Sequence, residues 1–391
     1  MKKFLILTLV AVASIGTSNA QFKDTETLYD KAPSRKNIVL PTVDGLNCYT
    51  ADLHIHTFFS DGEISPAERV REAWADGLDI IAITDHIETR RQEREMLKFL
   101  KGYSPDKKGF EPINTRCSRG VPADERGIVS DLNLSVKLAT KEAKLLPELT
   151  IIKGAEISRE PVHIGHYCAL YTKDNNTIYS TDDAQTIRNA RAQGAIITHN
   201  HPGWERKSTN YTEFEKKIYA EGLVDGIEVA NGAWFYPKMV ERAIEKKLYM
   251  VSASDIHTSA NVRYGNKNFY REMTLIFAKN KSEKAIREAL LSQRTLAYHA
   301  GNIVGEASLL EKFFKASISA SYIGDSKKSH LVRLTNNTSF DYTLTIKGKP
   351  VVLRAFQSTT CSVKDLKFKV EVNNMIHTDY NHLVVDMNVK K

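Results

Sequence analysis

Cysteine is scarce in this 391-residue chain: Cys48, Cys117, Cys168 and Cys361 are the only four, and none stands in a C-x-x-C pair. That excludes a zinc ribbon and a thioredoxin-like redox motif. Four isolated thiols are expected, with Cys48–Cys117 one pairing that an oxidising compartment would permit. Long apolar runs are missing beyond the N-terminus, so no membrane span is expected. Charge of one sign is not concentrated either: Lys and Arg total 55 against 47 Asp and Glu, a formal +8 with the two signs interleaved. Such a balance leaves no footprint for a stable nucleic-acid partner, although a local electropositive cleft for an anionic substrate is compatible with it. Internal repeats and low-complexity tracts are absent as well.

The first twenty residues, MKKFLILTLVAVASIGTSNA, combine two lysines, an apolar run from Phe4, and small residues Ser18 and Ala20 where a signal peptidase reads. The apolar run is shorter than the roughly 20 residues a bilayer requires. Residues 1–20 are therefore expected to be a cleaved secretory signal, and Gln21 in place of Cys argues against a lipoprotein. The expected mature protein is exported, periplasmic or secreted, and loss of Lys2 and Lys3 lowers its formal charge from +8 to +6. Residues 21–46 read as a lead-in segment.

From about Thr50 to Leu296 short apolar runs alternate with helical patterns, the signature of successive βα units. Strand candidates are ADLHIH, DIIAITDH, TIIKGAEIS, HYCALYT, GAIITHNH, DGIEVAN, LYMVSASDIH and EMTLIFA. Helix candidates are Ser65–Asp76, Leu132–Leu145, Ala184–Gln193, Tyr211–Glu221, Pro237–Lys247 and Ser282–Ser292. Ser65 followed by Pro66 supplies an N-cap and a first helical residue. This many units point to an α/β, TIM-like barrel over residues 47–300. The charged stretch Glu88–Ser130 breaks the rhythm and reads as a long loop at the barrel mouth. From about residue 301, and clearly from Lys312, alternating runs such as SHLVRLTN, DYTLTIKG and LKFKVEVN predict a small all-β, sandwich-like C-terminal domain ending at residue 391.

Almost every strand candidate delivers a His, Asp or Glu near one end. The set is His54, His56, Asp61, His86, Glu156, His166, His201, Asp255 and His257, and it holds six of the chain's twelve histidines. Taken singly, a strand-end histidine is more often structural; what singles these out is their joint placement at ends that converge on one mouth of a parallel barrel. Mixed imidazole and carboxylate without thiolate suits Zn, Mn or Fe, and Glu156 or Asp255 could bridge two ions. Charged groups gathered this densely need compensation, which bound cations provide. His166 and His201 are preferred over their neighbours His163 and His199, with His163 a serious competitor. His299, His330, His377 and His382 read as structural or surface residues.

The ordered motifs DLHIHTFFSDG, ITDH, GAEIS, GHYCALY, NHPGW and SDIH resemble the PHP (polymerase and histidinol phosphatase) superfamily over about residues 47–296. The resemblance implies a distorted barrel of about seven βα units, two to three divalent ions held by the nine residues above, and hydrolysis of a small-molecule phosphate ester by a metal-activated hydroxide. Asp85 is a candidate acceptor that orients an imidazole, set against a capping or turn role. Arg159 and Arg263 are candidate phosphoryl clamps, set against solvated arginines. Trp204 and Trp234 fall beyond strand ends, where an aromatic wall for a sugar or base could lie, set against core or rim packing as the favoured role. Rival readings are a metal-dependent hydrolase of an amide or carboxylic ester and a metal-stabilised binding protein without catalysis.

Overall fold

The helix-start signal at Ser65-Pro66 works as read. Helix α1 (Pro66–Ala75) is capped by the Ser65 side chain, which accepts from the Glu68 N–H, and proline at its first position forfeits no intrahelical bond. The structure, a computed structural model, describes residues 34–88, 90, 131–159 and 164–391. The expected signal peptide, most of the lead-in and of the Glu88–Ser130 insertion, Cys117 and His163 lie outside the described residues, as does the side chain of Arg159.

Helix α1 connects β1 (Asn47–Ile55) to β2 (Ile80–Ile83), which pairs parallel with it. Helix α2 (Leu134–Ala143) leads to β3 (Thr150–Arg159), parallel to β2. Strands β5 (Ile196–Asn200), β6 (Gly226–Asn231) and β8 (Tyr249–Ala253) also run parallel, preceded by helices α3 (Asp183–Ala192), α4 (Glu213–Ala220) and α5 (Pro237–Lys246). The two-residue β7 (Trp234–Phe235) folds back on β6. Each of these helices begins and ends within two residues of its sequence-read span.

The expectation of a TIM-like (β/α)7 barrel is corrected in two places. Strand β4 (Gly165–Leu170) is antiparallel to both β3 and β5, because the link from Arg159 to Gly165 is too short for the crossover helix that a parallel return demands. After α6 (Ala260–Tyr264), β9 (Met273–Ala278) is antiparallel to β1, and after α7 (Glu283–Leu291) β10 (Thr295–His299) is antiparallel to β9. The product is a large mixed sheet rather than a closed barrel. Where a barrel would close, between β1 and β8, a bridge between Ile55 and Ile256 stands in for a ladder. Buried side chains seal that seam: Asp52 accepts from the Ser254 N–H at 3.1 Å, from the Ser254 hydroxyl, and from Arg271 Nη2 at 2.7 Å.

The expected onset of the all-β region is also corrected, because helix α8 (Ala307–Ser317) occupies its start. Leu310, Phe313, Phe314 and Ser317 form its buried stripe at helical spacing. The alternating run KASISASYI overlaps the end of this helix and masks it in the sequence. Phe313 packs on Phe277 with ring centroids 6.0 Å apart, and Phe314 on Tyr342 at 5.4 Å.

Beyond it, β12 (Ile318–Ser326), β13 (Ser329–Asn336) and β16 (Ser358–Val363) form a separate three-stranded sheet. The others, β14 (Tyr342–Ile346), β15 (Lys349–Leu353), β17 (Lys367–Ile376) and β18 (His382–Asn388), extend the main sheet, since β17 pairs parallel with β11 (Asn302–Val304). One apolar core runs from Ile55 and Leu275 through Phe313 and Phe314 to Val332 and Val372. Residues Arg35–Lys391 accordingly make one compact unit. Among the described residues no helix is long and apolar enough to cross a membrane. Cys48, Cys168 and Cys361 are free thiols.

Candidate metal centre

The C-terminal ends of parallel strands share one rim, and β4, running the other way, brings its first residues to that same rim. Six strands thereby deliver the nine sequence-predicted residues to one place. Glu156, fully buried in β3, lies at the middle. Its Oε2 is 2.9 Å from His86 Nδ1, 3.2 Å from His54 Nε2 and 3.3 Å from His56 Nε2. Its Oε1 faces His166 Nδ1 at 3.3 Å and His201 Nε2 at 3.5 Å. Asp255 Oδ1 is 3.1 Å from His56 Nε2 and 3.4 Å from His54 Nε2. Asp61 reaches His257 Nε2 at 3.2 Å and His86 Nε2 at 3.4 Å.

Local backbone serves this convergence. Asp61 sits in a turn that folds back on β1, and a Cβ at Gly62 would lie 2.9 Å from the His56 carbonyl, so only glycine permits the approach. His201 and Asp255 adopt positive φ, +23° and +49°, a conformation unfavourable to non-glycine residues that persists where surroundings impose it. Here the His201 N–H is held by Glu228 Oε2 at 2.7 Å and the Asp255 N–H by the His54 carbonyl at 3.0 Å.

Two supporting residues escaped the sequence reading. Glu228 in β6 accepts from His54 Nδ1 at 2.8 Å and from Asn231 Nδ2 at 2.8 Å. A proton on His54 Nδ1 leaves the Nε2 lone pair aimed at Glu156 and Asp255. Asn200 donates to Glu156 Oε1 at 2.8 Å and to Cys168 Sγ at 3.1 Å. Both stand inside quoted runs, Glu228 in DGIEVAN and Asn200 in GAIITHNH, and their only signal was a polar side chain within a strand. His257 is oriented in the same manner as His54, its Nδ1 2.9 Å from the Asp255 carbonyl.

The donor set fits divalent ions. Three groups have ligand atoms all within 4.8 Å of one another: His56, Asp61, His86 and His257; His54, His56 and Asp255; and His54, Glu156 and His201. His166 adjoins them through Glu156. Asp61 Oδ1 and Glu156 Oε2 are buried without a hydrogen-bond donor, a costly state for a carboxylate oxygen that coordination would relieve. Burial alone would raise the Glu156 and Asp255 carboxyls, but the surrounding imidazoles, His54 foremost, hold both well below the usual range. His54 and His86 are pushed well up by the facing carboxylates despite their burial.

Other expectations resolve differently. Asp85 does not touch an imidazole: it accepts from Thr57 N at 2.7 Å and Ser60 Oγ at 2.7 Å, pinning the turn that precedes Asp61, and reaches His56 only through Ser60. Of its two readings, these contacts are those of turn capping. Arg263 is half-buried, its guanidinium against the Gly232 backbone. Trp204 is 39% exposed, its ring 5.3 Å from that of His166 and 5.5 Å from that of His201. Trp234 is exposed on β7. His199 points away from the centre, to the Tyr219 hydroxyl at 2.9 Å.

Fold and site together define a mixed α/β protein with a multi-residue candidate metal centre at the rim of its main sheet. The profile of the PHP domain matches residues 52–181. The crystal structure of a two-domain protein containing a predicted PHP-like metal-dependent phosphoesterase, from Bacteroides vulgatus ATCC 8482, is 30% identical. The match covers 91% of this chain and 99% of that one, with a TM-score of 0.78. The chain belongs to the PHP family. PsfC from Pseudomonas syringae PB-5123 is 15% identical over 69% of this chain and 97% of its own, TM-score 0.38. The lesion-specific endonuclease PfuEndoQ from Pyrococcus furiosus is 16% identical over 66% and 59%, TM-score 0.39. Likenesses at that level carry no functional information. No curated protein matches the chain.

Proposed function

We propose that this protein is an exported metal-dependent phosphoesterase acting on a small phosphate ester at a di- or trinuclear centre. The observation that carries the reading is the convergence of six imidazoles and two further carboxylates about Glu156, whose two oxygens face different sets of histidines. His54, His56, Asp61, His86, Glu156, His166, His201, Asp255 and His257 would hold the ions, Zn, Mn or Fe. Bound divalent ions supply Lewis-acid polarisation of a phosphoryl oxygen and bring the pKa of a water near neutrality.

The chain's own residues do the rest. Glu228 keeps the His54 lone pair directed inward, and Asn200 fixes the plane of the Glu156 carboxylate. Cys168, the nearest thiol among the described residues, is buried and pushed up by that burial, which does not suit a nucleophile. Trp204 forms an exposed wall beside His166 and His201 where part of a substrate can rest. The metal-dependent reading of the resemblance to the Bacteroides vulgatus protein agrees with this donor set.

The test is elemental analysis of the purified protein together with hydrolysis of phosphomonoester, phosphodiester and acyl-ester panels before and after chelation. Two to three equivalents of metal and chelator-sensitive phosphate release are expected. Acyl hydrolysis without phosphate release would replace the phosphoesterase reading, and a folded protein that takes up no metal would end it.

A further inference from the structure

Arg69 is 2% exposed, on the inward face of α1 beside the buried Val70 and Ala73. Its Nε donates to the His56 carbonyl at 2.8 Å. Nη1 donates to the Thr258 carbonyl at 2.7 Å and to Glu72 Oε2 at 2.9 Å. Nη2 donates to the His257 carbonyl at 2.6 Å and to the Ile256 carbonyl at 3.3 Å. That uses all five N–H groups a guanidinium possesses.

Four of the five acceptors are backbone carbonyls of two turns, one leaving β1 and one leaving β8. The turns also bond each other, His56 N–H to the Ile256 carbonyl at 3.2 Å and Glu63 N–H to the His257 carbonyl at 2.8 Å. They carry His56, Asp61 and His257, three members of the group that His86 completes. Glu72 finishes the clamp by accepting from the Ala260 N–H at 2.7 Å.

We infer that Arg69 is the positioning residue for the ion held by His56, Asp61, His86 and His257, an inference that rests on the metal-dependent reading of the centre. The guanidinium ties the backbone of two ligands to a helix anchored in the core, so their spacing is set by a rigid element rather than by the turns themselves. A lysine has three donors on one atom and cannot span four carbonyls. The deeper group, His54, Glu156 and His201, is oriented by Glu228 and Asn200 and shares none of these carbonyls. Loss of Arg69 therefore acts at the groups that contain His56 and leaves the deeper one, His54, Glu156 and His201, in place.

The experiment is stepwise titration of metal-free wild type, Arg69→Lys and Arg69→Met with Co2+, followed by visible absorption and calorimetry, with melting curves of the metal-free forms alongside. In Arg69→Lys the dissociation constant of one ion is expected to rise about 10- to 100-fold, the range for lost support of a ligand, while that of another, at the deeper group, stays within about twofold. Arg69→Met is expected to lose that ion outright, and Arg69→Lys decides the matter if the methionine variant does not fold. Equal weakening of every ion with a lowered melting point would make Arg69 a general fold-holder and overturn the inference, as would unchanged binding in Arg69→Lys. A wild type that binds no ion defeats the metal reading itself and this inference with it; ion-binding wild type with indistinguishable variants defeats the role of Arg69 alone.

Discussion

Glu228→Gln perturbs the deep part of the centre without removing any of the nine candidate ligands. The carboxylate accepts three hydrogen bonds: from His54 Nδ1 at 2.8 Å, His201 N–H at 2.7 Å and Asn231 Nδ2 at 2.8 Å. Glutamine matches its shape but has one oxygen. If that oxygen stays with His54, the amide nitrogen confronts two N–H donors. If it turns to His201 and Asn231, the amide donates to His54 Nδ1 and drives the proton to Nε2, the nitrogen aimed at Glu156. A hydrogen bond to a charged acceptor is worth about 1.5–3 kcal/mol, and 1.4 kcal/mol is tenfold in affinity. The deep ion should therefore bind about 10- to 100-fold more weakly. Competition of Zn2+ between the protein and a chromophoric chelator measures this, with circular dichroism to confirm that Glu228→Gln folds. Wild-type affinity in a folded Glu228→Gln protein would refute the claim that Glu228 sets the His54 tautomer.

Three further outcomes are expected. Arg271 is 4% exposed and paired with the fully buried Asp52, so Arg271→Met, which strands that carboxylate, should destabilise by about 3–5 kcal/mol in urea titration; a loss under 1 kcal/mol would show the seam does not depend on the pair. Phe313→Ala removes a fully buried ring from α8 and should cost about 3–5 kcal/mol by the same assay, whereas a surface-like change below 0.5 kcal/mol would place the helix outside the core. Burial pushes the His299 imidazole down to about 4. In the unfolded chain it titrates near 6.5, so its contribution is complete above about pH 6.5 and is lost as pH falls toward 4, on the order of 3 kcal/mol. Between pH 7.5 and 4.5 wild type should lose more stability than His299→Gln, and parallel losses would contradict the assignment.

Much of the site was legible because its residues stand at strand ends inside recognisable runs: SDIH gives Asp255 and His257, and ITDH gives His86. Topology was less legible. That β4 reverses depends on the length of the Arg159–Gly165 link, and nothing in HYCALYT marks its direction. Asp85 stayed open between two roles because adjacency in sequence to His86 says nothing of where a carboxylate points; it turns to Thr57 and Ser60. Nothing in the sequence marks Arg69, since its acceptors are carbonyls separated from it by 13 residues at the near turn and nearly 190 at the far one. Backbone acceptors leave no trace in composition. The helix at Ala307–Ser317 was hidden by the strand-like run that follows it.

The seam between β1 and β8 would give a bound ion a mechanical role. His54 and His56 lie on one side of it, Asp255 and His257 on the other, with little backbone ladder between. An ion shared by both sides is a reversible cross-link over some 200 residues of intervening chain, comparable in effect to a disulfide closing a long loop. Amide hydrogens flanking Ile55 and Ile256 should then exchange faster once metal is stripped, while those of the β12–β13–β16 sheet keep their rates. In a chain with so few cysteines, metal can do the stapling that thiols do elsewhere.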